Sequence, residues 1–416
     1  MKLFFSAGEP SGDVHAASLI TKIRESVPDA EFIGFGGPMM NASGCRLLAD
    51  MTRLSVMWIW EVFKRYFDFK QLVRDAENIF VTEKIDAIVL VDFPGFNWHI
   101  AKAANKCGIP VIYFMPPQLW AWAQWRVKKM QKYADIVLCA LPFEYRWFRK
   151  NGCRAVYIGH PFFEEIRRKE SDSDFLEYFY TNFGTSPVLT LLAGSRIQEI
   201  EKNFDAIVDT VRAVKRQCPK VLPVFAALND EHRRRIEFRL KERGWSIPVF
   251  AGRTTELIRA AECCLAVSGS VSLELLACNK PTVIYYKVGY LPLLIQRFFR
   301  RTRYITLVNL LSADRQRDER SGITPVFYPD SVSVIPAEPA KTDKERMLFP
   351  EFLTASDRTA EAAEHLIRWF SNPMSLARHK ERLEMLRREA DDVESPLAAA
   401  AQAVIDIAEP LALGKL

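Results

Sequence analysis

The stretch Leu3-Phe4-Phe5-Ser6-Ala7-Gly8-Glu9-Pro10-Ser11-Gly12-Asp13 decides the fold, because it passes from an apolar run through a turn into a helix. The apolar run predicts a strand, and the periodic segment 14–23 predicts a helix that Ser11 or Asp13 can cap. This order is the first unit of a parallel α/β sheet. Ligands of such sheets bind at the carboxyl ends of the strands, where Glu9 lies. We therefore expect Glu9 at a functional site.

The glycines of this turn disfavour one common class of ligand. Gly8 and Gly12 do not form G-x-G-x-x-G, the pattern of dinucleotide-binding turns. A nicotinamide or flavin enzyme is therefore disfavoured, and we expect no cofactor.

Metal and acyl-enzyme chemistry are also disfavoured. The six histidines form neither H-x-x-x-H nor H-E-x-x-H, no G-x-S-x-G occurs, and the eight cysteines contain no C-x-x-C pair. Asp172-Ser173-Asp174 matches the D-x-D of metal-using sugar transferases, but it does not end an apolar strand. We interpret it as a helix cap and expect no metal site.

The length and two series of apolar runs predict two domains. A chain of 416 residues exceeds one ordinary core. Runs typical of buried parallel strands lie at 31–35, 87–91, 111–115, 136–140 and 155–158, and then at 188–192, 221–226, 248–251, 264–267 and 282–286. The polar stretch 167–174 separates the two series. We expect doubly wound, Rossmann-like α/β domains in 1–170 and 171–370 with a cleft between them, and helices in 371–416 that pack back on the first domain or on a partner chain.

The composition limits the class of protein further. The chain is 49% hydrophobic and carries a net charge of +6, which suits anionic partners without requiring nucleic acid. It lacks an uncharged apolar run of about 18 residues, so we expect no transmembrane helix. The scattered cysteines are typical of thiols in a reducing compartment. We therefore expect a cytoplasmic protein that binds no nucleic acid.

A second acid follows another predicted strand. Asp92 comes directly after 87–91 and is followed by the turn Phe93-Pro94-Gly95-Phe96-Asn97. Because the carboxyl ends of parallel strands meet at one edge of a sheet, we expect Asp92 and Glu9 to share a cleft. A carboxylate there can accept a proton from an attacking hydroxyl. The alternatives are that Asp92 only caps a turn and that Glu9 only positions a substrate or the backbone.

Two turns in the second half are typical of phosphate and nucleotide binding. Gly194-Ser195-Arg196 follows a strand and opens a helix, whose N–H groups and arginine can hold a phosphate. Ser268-Gly269-Ser270 repeats the pattern, and Glu274 is placed to accept hydrogen bonds from ribose hydroxyls. Alternatively, Arg196 is an ordinary exposed arginine and Glu274 only complements the helix dipole.

Two segments are apolar and basic at once. The helix predicted over 57–73 contains the apolar residues Met57, Trp58, Trp60, Phe63 and Phe67 among lysines and an arginine. The segment Tyr290 to Phe299 precedes Arg300, Arg301 and Arg303. Both favour contact with an anionic membrane surface or acyl chains, or else are core helices with snorkelling cations. Trp120 and Trp122 either line an acceptor pocket or pack in the core.

Short blocks spread over residues 3 to 354 resemble those of lipid-A-disaccharide synthases. They are Ala7-Gly8-Glu9-Pro10-Ser11-Gly12-Asp13, Gly36-Gly37-Pro38-Met39-Met40, Val56-Met57, Asp92 with Phe96-Asn97, Trp120-Ala121-Trp122, Leu141-Pro142-Phe143-Glu144, Gly159-His160, Gly194-Ser195-Arg196 with Glu199, Ser268-Gly269-Ser270 with Leu273-Glu274, Asn309-Leu310-Leu311 and Pro350-Glu351-Phe352-Leu353. They occur in the family's order.

The resemblance implies a GT-B glycosyltransferase with two Rossmann-like domains facing a cleft and last helices crossing back to the first. It implies that UDP-2,3-diacylglucosamine and 2,3-diacylglucosamine 1-phosphate are joined to a β-1,6-linked disaccharide 1-phosphate and UDP. Such a protein would lie peripherally at the inner face of the cytoplasmic membrane. The last helices also allow a homodimer.

The resemblance also implies roles for single residues. Asp92 would be the base and Glu9 a second acid at the same cleft. Arg196 and Asn309 would lie by the donor diphosphate or the anionic acceptor, and Glu274 by the ribose. Other possibilities are a UDP-sugar 2-epimerase, a transferase for another lipid acceptor, and a non-catalytic lipid or nucleotide-sugar binding protein.

Three features depart from the family's pattern. Gly95 stands where some members carry a second Asp, so a two-acid mechanism within that turn cannot operate. Ala193 replaces a proline that is common before the Gly-Ser-Arg turn. A charged, proline-containing insertion at 312–346 separates Asn309 from the Pro350 block, and we expect it to form a surface loop.

Overall fold

The chain forms two compact α/β units. The computed structural model describes residues 1–52, 66–269, 271–315, 326–328, 344 and 346–409, with the side chains of 66–68 left out. Unit 1 comprises Met1–Glu164 and the chain from Val393, and unit 2 comprises Glu165–Asp392. The C-terminal segment 371–416 is therefore divided between the units. Residues 371–392 belong to unit 2, and the chain from Val393 belongs to unit 1.

Unit 1 is built on a parallel sheet. Its described strands lie in the order β3-β2-β1-β4-β5-β6-β7. They are β1 Lys2–Ala7, β2 Glu31–Gly36, β3 Arg46–Asp50, β4 Ala87–Val91, β5 Val111–Phe114, β6 Ile136–Cys139 and β7 Ala155–Tyr157. Its described helices are α1 Pro10–Ser26, α2 Pro38–Ala42, α3 Tyr66–Thr82, α4 Pro94–Lys106, α5 Val127–Tyr133, α6 Pro142–Lys150, α7 Pro161–Arg168, which leads out of the unit, and α17 Pro396–Ala408.

Unit 2 repeats this plan. Its described strands lie in the order β10-β9-β8-β11-β12-β13, also parallel. They are β8 Val188–Leu192, β9 Leu222–Ala227, β10 Val249–Ala251, β11 Cys263–Ala266, β12 Thr282–Lys287 and β13 Glu351–Thr354. The helices are α8 Ser173–Phe183, α9 Ile197–Gln217, α10 Asp230–Glu242, α11 Thr254–Ala260, α12 Val271–Ala277, α13 Tyr290–Phe299, α14 Leu307–Arg315, α15 Thr359–Ser371 and α16 Pro373–Ala390.

The strand pattern of the sequence is confirmed except at two sheet edges. Each predicted apolar run overlaps a strand, because strands buried on both faces consist of continuous apolar residues. β3 and β13 were not predicted. Both are edge strands whose residues are mostly half-buried, so neither carries the apolar run that marks a central strand.

The first turn is capped differently from our expectation. Helix α1 begins at Pro10, Glu9 occupies its N-cap position without a side-chain cap, and Ser11 is exposed. Asp13 instead caps the neighbouring helix α2. Its Oδ1 accepts hydrogen bonds from the N–H groups of Gly37 (2.8 Å) and Met40 (3.0 Å), and its Oδ2 accepts one from Met39 (3.0 Å). The carboxylate satisfies N–H groups that the short helix leaves unpaired.

Helix α17 completes the core of unit 1. Leu397, Ala400 and Val404 are buried in the same apolar cluster as Leu3 and Phe5 of β1. The helix packs on α1 and β4. The first sheet is therefore covered in part by the end of the chain.

Two further expectations fall on described residues. Asp172 is the N-cap of α8 and accepts a hydrogen bond from Phe175 N at 2.9 Å, which confirms the helix-cap interpretation of the D-x-D. The loop expected over 312–346 was wrong at its start, because residues 312–315 form the last turn of α14. Residues 316–325, 329–343 and 345 lie outside the described part of the chain.

We predict that Asp13→Ala lowers the free energy of unfolding of unit 1 by about 2–3 kcal/mol, because three backbone N–H groups, two of them buried, lose a charged acceptor. Urea unfolding followed by tryptophan fluorescence measures this, since seven of the nine tryptophans lie within unit 1. The control is Ser11→Ala at an exposed position of the same turn. Equal midpoints for the two variants would contradict the capping role.

Candidate functional site

The carboxyl edge of the first sheet brings Glu9 and Asp92 together. Ala7 at the end of β1 lies beside Val91 at the end of β4, so the turns that follow are neighbours. A Cβ added to Gly8 would lie 2.2 Å from the ring of Phe93, so only glycine permits this close approach of the two turns. The charge of Glu9 acts on the Asp92 carboxyl. The expected meeting of the two acids is thus present in unit 1.

The backbone that carries Asp92 is strained. Asp92 (φ 40°) and Phe93 (φ 44°) both adopt the left-handed conformation, which costs about 1–2 kcal/mol per non-glycine residue. Phe93 is also the N-cap of α4, and Pro94 follows in the first turn. Strain at such a turn persists only where the surroundings hold it.

Asn97 and Tyr113 hold this turn. The side chain of Asn97 is fully buried, and its Nδ2 lies 2.9 Å from the carbonyl oxygen of Asp92 and 3.2 Å from those of Val91 and Ser6. Its Oδ1 accepts a hydrogen bond from Ser6 Oγ at 2.7 Å. The Tyr113 hydroxyl donates to the same Asp92 carbonyl at 2.7 Å. These contacts join the ends of two strands to the turn that presents the acid.

The surroundings of Asp92 make it a weaker acid. Burial, followed by the negative charge of Glu9, raises the pKa of Asp92 from 3.8 to about 6, against one hydrogen bond from the Phe93 backbone. A carboxyl with a pKa near 6 is still ionised at neutral pH, and it is a better proton acceptor than an ordinary aspartate. This is the property that a general base requires.

Trp120 packs in the core, which is the second of the two roles considered for it. It is 1% exposed, packs edge-on against Phe143, and donates from Nε1 to Glu144 Oε1 at 2.9 Å. Burial, with a smaller contribution from the charge of Asp92, raises the pKa of Glu144 to about 7, against hydrogen bonds from Trp120 and from the backbone of Ala140 and Leu141. The buried carboxyl of Glu144 therefore interacts electrostatically with Asp92.

Of the other apolar candidates for acceptor or membrane contact, Trp122 is the one whose side chain the structure describes. Trp122 is 39% exposed and follows β5 on the same chain segment as Trp120. Met57, Trp58, Trp60 and Phe63 lie outside the described residues, as does the side chain of Phe67. Trp122 alone of this group thus keeps an exposed ring within the described part of the chain.

In unit 2 the turn Gly194-Ser195-Arg196 is held by one acid. Glu199 lies in the first turn of α9, and its Oε2 accepts hydrogen bonds from Ser195 N (3.0 Å) and Ser195 Oγ (3.5 Å). Gly194 has φ 127°, and a Cβ there would lie 2.6 Å from that of Glu199. Arg196 is the N-cap residue, its side chain is 76% exposed, and its Nη1 lies 3.5 Å from Glu199 Oε1. The guanidinium is thus accessible at the start of a long helix.

The second glycine-serine turn lies beside the first. Val267 N donates to Leu192 O at 3.0 Å, so the turns after β8 and β11 leave the same edge of the sheet. Glu274 in α12 accepts a hydrogen bond of 2.6 Å from Thr255 Oγ1. Ser268 is half-buried and Gly269 exposed, while Ser270 lies outside the described residues. The structure therefore brings the predicted donor turns together within unit 2.

The side-chain amide of Asn309 is hydrogen-bonded within the protein, so we do not assign it to the binding of a donor phosphate. It is buried, and its Nδ2 donates to Phe349 O (2.7 Å) and to Glu351 Oε2 (2.9 Å). Its Oδ1 accepts from the N–H groups of Leu348 and Phe349. These four hydrogen bonds use both donors and both lone-pair sites of the amide. Asn309 fixes the chain before β13 to the start of α14.

The functional residues that sequence reasoning missed are the ones that act through others. Asn97 and Tyr113 hold the turn that carries Asp92, and Glu199 shapes the Arg196 turn. Asn97 and Glu199 belong to the sequence blocks that resemble a known family, and this resemblance was the signal that could have identified them. No group of three His, Cys, Asp or Glu side chains that could hold a metal ion occurs among the residues for which coordinates are described.

Comparison with known proteins supports one family. The model of the lipid-A-disaccharide synthetase family matches residues 3–320. The lipid-A-disaccharide synthase of Myxococcus xanthus (strain DK1622) is 32% identical over 314 residues, covering 76% of this chain and 82% of that protein. Lipid-A-disaccharide synthase 1 of Legionella pneumophila (strain Lens) is 31% identical over 314 residues, covering 74% and 80%.

Solved structures share the fold over nearly the whole chain. A putative UDP-N-acetylglucosamine 2-epimerase from Listeria monocytogenes has a TM-score of 0.60 at 11% identity, covering 99% of this chain and 96% of that one. The calicheamicin glycosyltransferase has a TM-score of 0.56 at 13% identity, covering 99% of both chains. At these identities the likeness shows the GT-B fold alone.

We predict that Asp92 titrates with a midpoint near pH 6. The carboxylate is charged above this pH and protonated below it. In Glu9→Gln the midpoint moves to lower pH, because the neighbouring negative charge that favours the protonated form is gone. Carboxyl ¹³C NMR on aspartate-labelled protein measures both values, with Asp92→Asn identifying the resonance.

The control for this titration is Asp29→Asn, an exposed acid at the opposite edge of the sheet, just before β2. It should leave the Asp92 midpoint unchanged. A midpoint of the native protein near 3.8, or no movement in Glu9→Gln, would contradict the burial of Asp92 and its pairing with Glu9.

Proposed function

Since the chain belongs to the lipid-A-disaccharide synthetase family and is a glycosyltransferase of lipid A biosynthesis, we propose that it joins UDP-2,3-diacylglucosamine to 2,3-diacylglucosamine 1-phosphate with Asp92 as the base. The observation that carries this assignment is the half-buried carboxyl of Asp92, raised to a pKa of about 6 beside Glu9 at the carboxyl edge of the first sheet. The product is a β-1,6-linked disaccharide 1-phosphate, and UDP is released.

In the proposed reaction the acceptor 6-hydroxyl oxygen attacks the anomeric carbon of the donor and inverts it. Asp92 takes the hydroxyl proton, while the bond from the sugar to the diphosphate breaks and its electron pair leaves with UDP. Glu9 raises the basicity of Asp92 and faces the acceptor sugar. A base positioned in this way contributes about 10²- to 10⁴-fold to the rate.

The donor side of the proposal rests on unit 2. The N–H groups at the start of α9 and the exposed guanidinium of Arg196 are suited to a diphosphate, whose charge grows as the bond to the sugar breaks. Ser268 and Gly269 extend this phosphate site, and Glu274 accepts hydrogen bonds from the ribose. Thr255, which already donates to Glu274, keeps that carboxylate in place.

A UDP-sugar 2-epimerase is the nearest alternative activity, because solved epimerases share the fold. Their 11–12% identity concerns the fold alone, whereas the synthases of Myxococcus xanthus and Legionella pneumophila named above are 32% and 31% identical to this chain. The transferase is therefore favoured over the epimerase and over a binding protein without activity.

We predict that Asp92→Asn lowers turnover of the two acylated substrates by about 10²-fold or more, because the amide cannot take the hydroxyl proton. Binding of UDP should be unchanged, since the proposed donor residues lie in unit 2. Mass spectrometry of the disaccharide product and calorimetry with UDP give the two readouts. The control is Asp29→Asn, and near-normal turnover in Asp92→Asn would remove this residue from the base role.

Contact with a membrane surface forms the second part of the proposal. Within the described residues no helix is long and apolar enough to cross a bilayer. Helix α13, however, has no buried residue, and Leu291, Leu294, Ile295 and Phe298 are between 48% and 67% exposed. Their spacing places them on one helix face. An apolar face turned outward, with arginines nearby, is typical of a helix that lies in the interface of an anionic bilayer.

We predict that replacing Leu291, Leu294 and Phe298 together by serine weakens sedimentation with phosphatidylglycerol-containing vesicles by about tenfold or more, because three apolar side chains no longer enter the bilayer. The matched control replaces Val81, Phe238 and Met374, which are similarly exposed on α3, α10 and α16. Equal loss in both triple variants would mean that α13 is not the contact surface.

A homodimer stays a prediction. Helix α17, one of the helices considered for contact with a second copy, packs in the core of unit 1 of its own chain. Light scattering of the purified protein measures the number of copies.

A further inference from the structure

A cavity of about 240 Å³ lies beside β13 in unit 2, and none of the residues that line it is assigned to the reaction. Met347 and Phe352 line it, together with the face of α13 that carries Leu293, Gln296 and Arg297. It is smaller than the roughly 300–1,000 Å³ typical of sites for drug-sized ligands, so it suits one small group of a larger molecule.

Arg300 is the unusual residue of this cavity. Its Nε is buried and has no hydrogen-bond partner among the described residues. Glu351 lines the same cavity, but its oxygens accept hydrogen bonds from Ile305 N (2.7 Å), Thr306 N (3.1 Å), Thr306 Oγ1 (2.9 Å) and Asn309 Nδ2 (2.9 Å). Burial lowers the pKa of Arg300, although Glu351 opposes this. A guanidinium whose Nε–H is buried and unsatisfied favours the binding of an anionic acceptor.

The lining as a whole carries excess positive charge. Five cations (Arg297, Arg300, Arg303, Lys344 and Arg358) face three acids (Glu351, Glu361 and Glu364), an excess of two. Glu361 is hydrogen-bonded to Arg358, and Glu351 accepts hydrogen bonds from Ile305, Thr306 and Asn309. His365 is neutral at pH 7, because burial lowers its pKa to about 4. The cavity therefore favours an anion over a cation or a neutral group.

Helix α13 joins the cavity to the surface proposed to contact a membrane. Leu293, Gln296 and Arg297 face the cavity, whereas Leu291, Leu294 and Phe298 face outward. An α-helix with its side chains is only about 10–12 Å across, so an apolar face lying at the acyl boundary places the other face at the depth of lipid headgroups. An anionic group present at that depth is a lipid phosphate.

We propose that this cavity binds the phosphate group of an acylated lipid, with Arg300 as its main contact and Arg297 and Arg303 at its rim. This inference rests on the proposed membrane contact of α13, but not on the assignment of Asp92. The acyl chains extend toward the apolar face of α13. Such a site holds the protein at a lipid by a specific contact, in addition to the general attraction of its positive charge.

The test measures binding of monomeric dihexanoyl phosphatidic acid to the full chain by calorimetry, without a sugar nucleotide. We expect saturable binding that Arg300→Gln weakens by about tenfold or more, because the charged hydrogen bonds to phosphate are lost. The matched control is Arg301→Gln, which removes the same charge from the next residue, outside the cavity lining. Arg300→Lys should bind with intermediate affinity, and equal melting temperatures establish that the variants are folded.

Further arms separate the sources of the effect. Inorganic phosphate should bind more weakly than the lipid, and dihexanoyl phosphatidylcholine should also bind more weakly. Asp92→Asn should bind the lipid like the native protein, and the α13 serine variant should keep binding of the monomeric lipid while losing vesicle binding. Equal affinity of the native protein and Arg300→Gln, or equal weakening in Arg301→Gln, would overturn the site. Inorganic phosphate binding as tightly as the lipid would overturn the lipid as its ligand.

Discussion

The buried amide of Asn97 is the contact on which the proposed acid site depends. Its Nδ2 reaches carbonyl groups at the ends of β1 and β4 and that of Asp92, and its Oδ1 accepts from Ser6 Oγ. Without these bonds several buried polar groups would lack partners, at a cost of about 1–3 kcal/mol each. The bonds also offset the left-handed backbone of Asp92 and Phe93. The hydrogen bonds that satisfy polar groups at the carboxyl end of the sheet therefore also hold the turn that carries Asp92.

Unit 2 uses carboxylates and an amide in the same structural way. Glu199 folds back on the Gly194 turn, and Glu351 with Asn309 ties β13 to the start of α14. In each case a polar side chain satisfies backbone N–H groups that a turn or helix start leaves unpaired. Where such groups are already satisfied, as around Asn309, there is no donor left for a ligand. Where a cation is exposed or lacks a partner, as at Arg196 and Arg300, an anion can be bound.

The proposed activities are distributed by burial and charge. At the edge of unit 1 the combination of burial and a neighbouring carboxylate makes Asp92 basic. In unit 2 an exposed arginine at a long helix start suits the donor diphosphate. Helix α13 has an apolar face that is turned outward and an opposite face that lines a basic cavity. An ordinary surface helix instead turns its apolar face to the core and its polar face outward.

The sequence by itself determined the two parallel α/β units, the family and the junctions where Glu9, Asp92, Arg196 and Glu274 lie. Local apolar runs and small-residue turns encode these features, since a strand buried on both faces must be continuously apolar. The edge strands β3 and β13 lacked that signal. Only the tertiary structure decided that Asp13 caps α2, that Trp120 and Asn309 are structural, and that Arg300 borders a cavity. Those roles depend on partners distant in sequence, and a hydrogen bond or burial between distant residues has no local pattern from which it can be read.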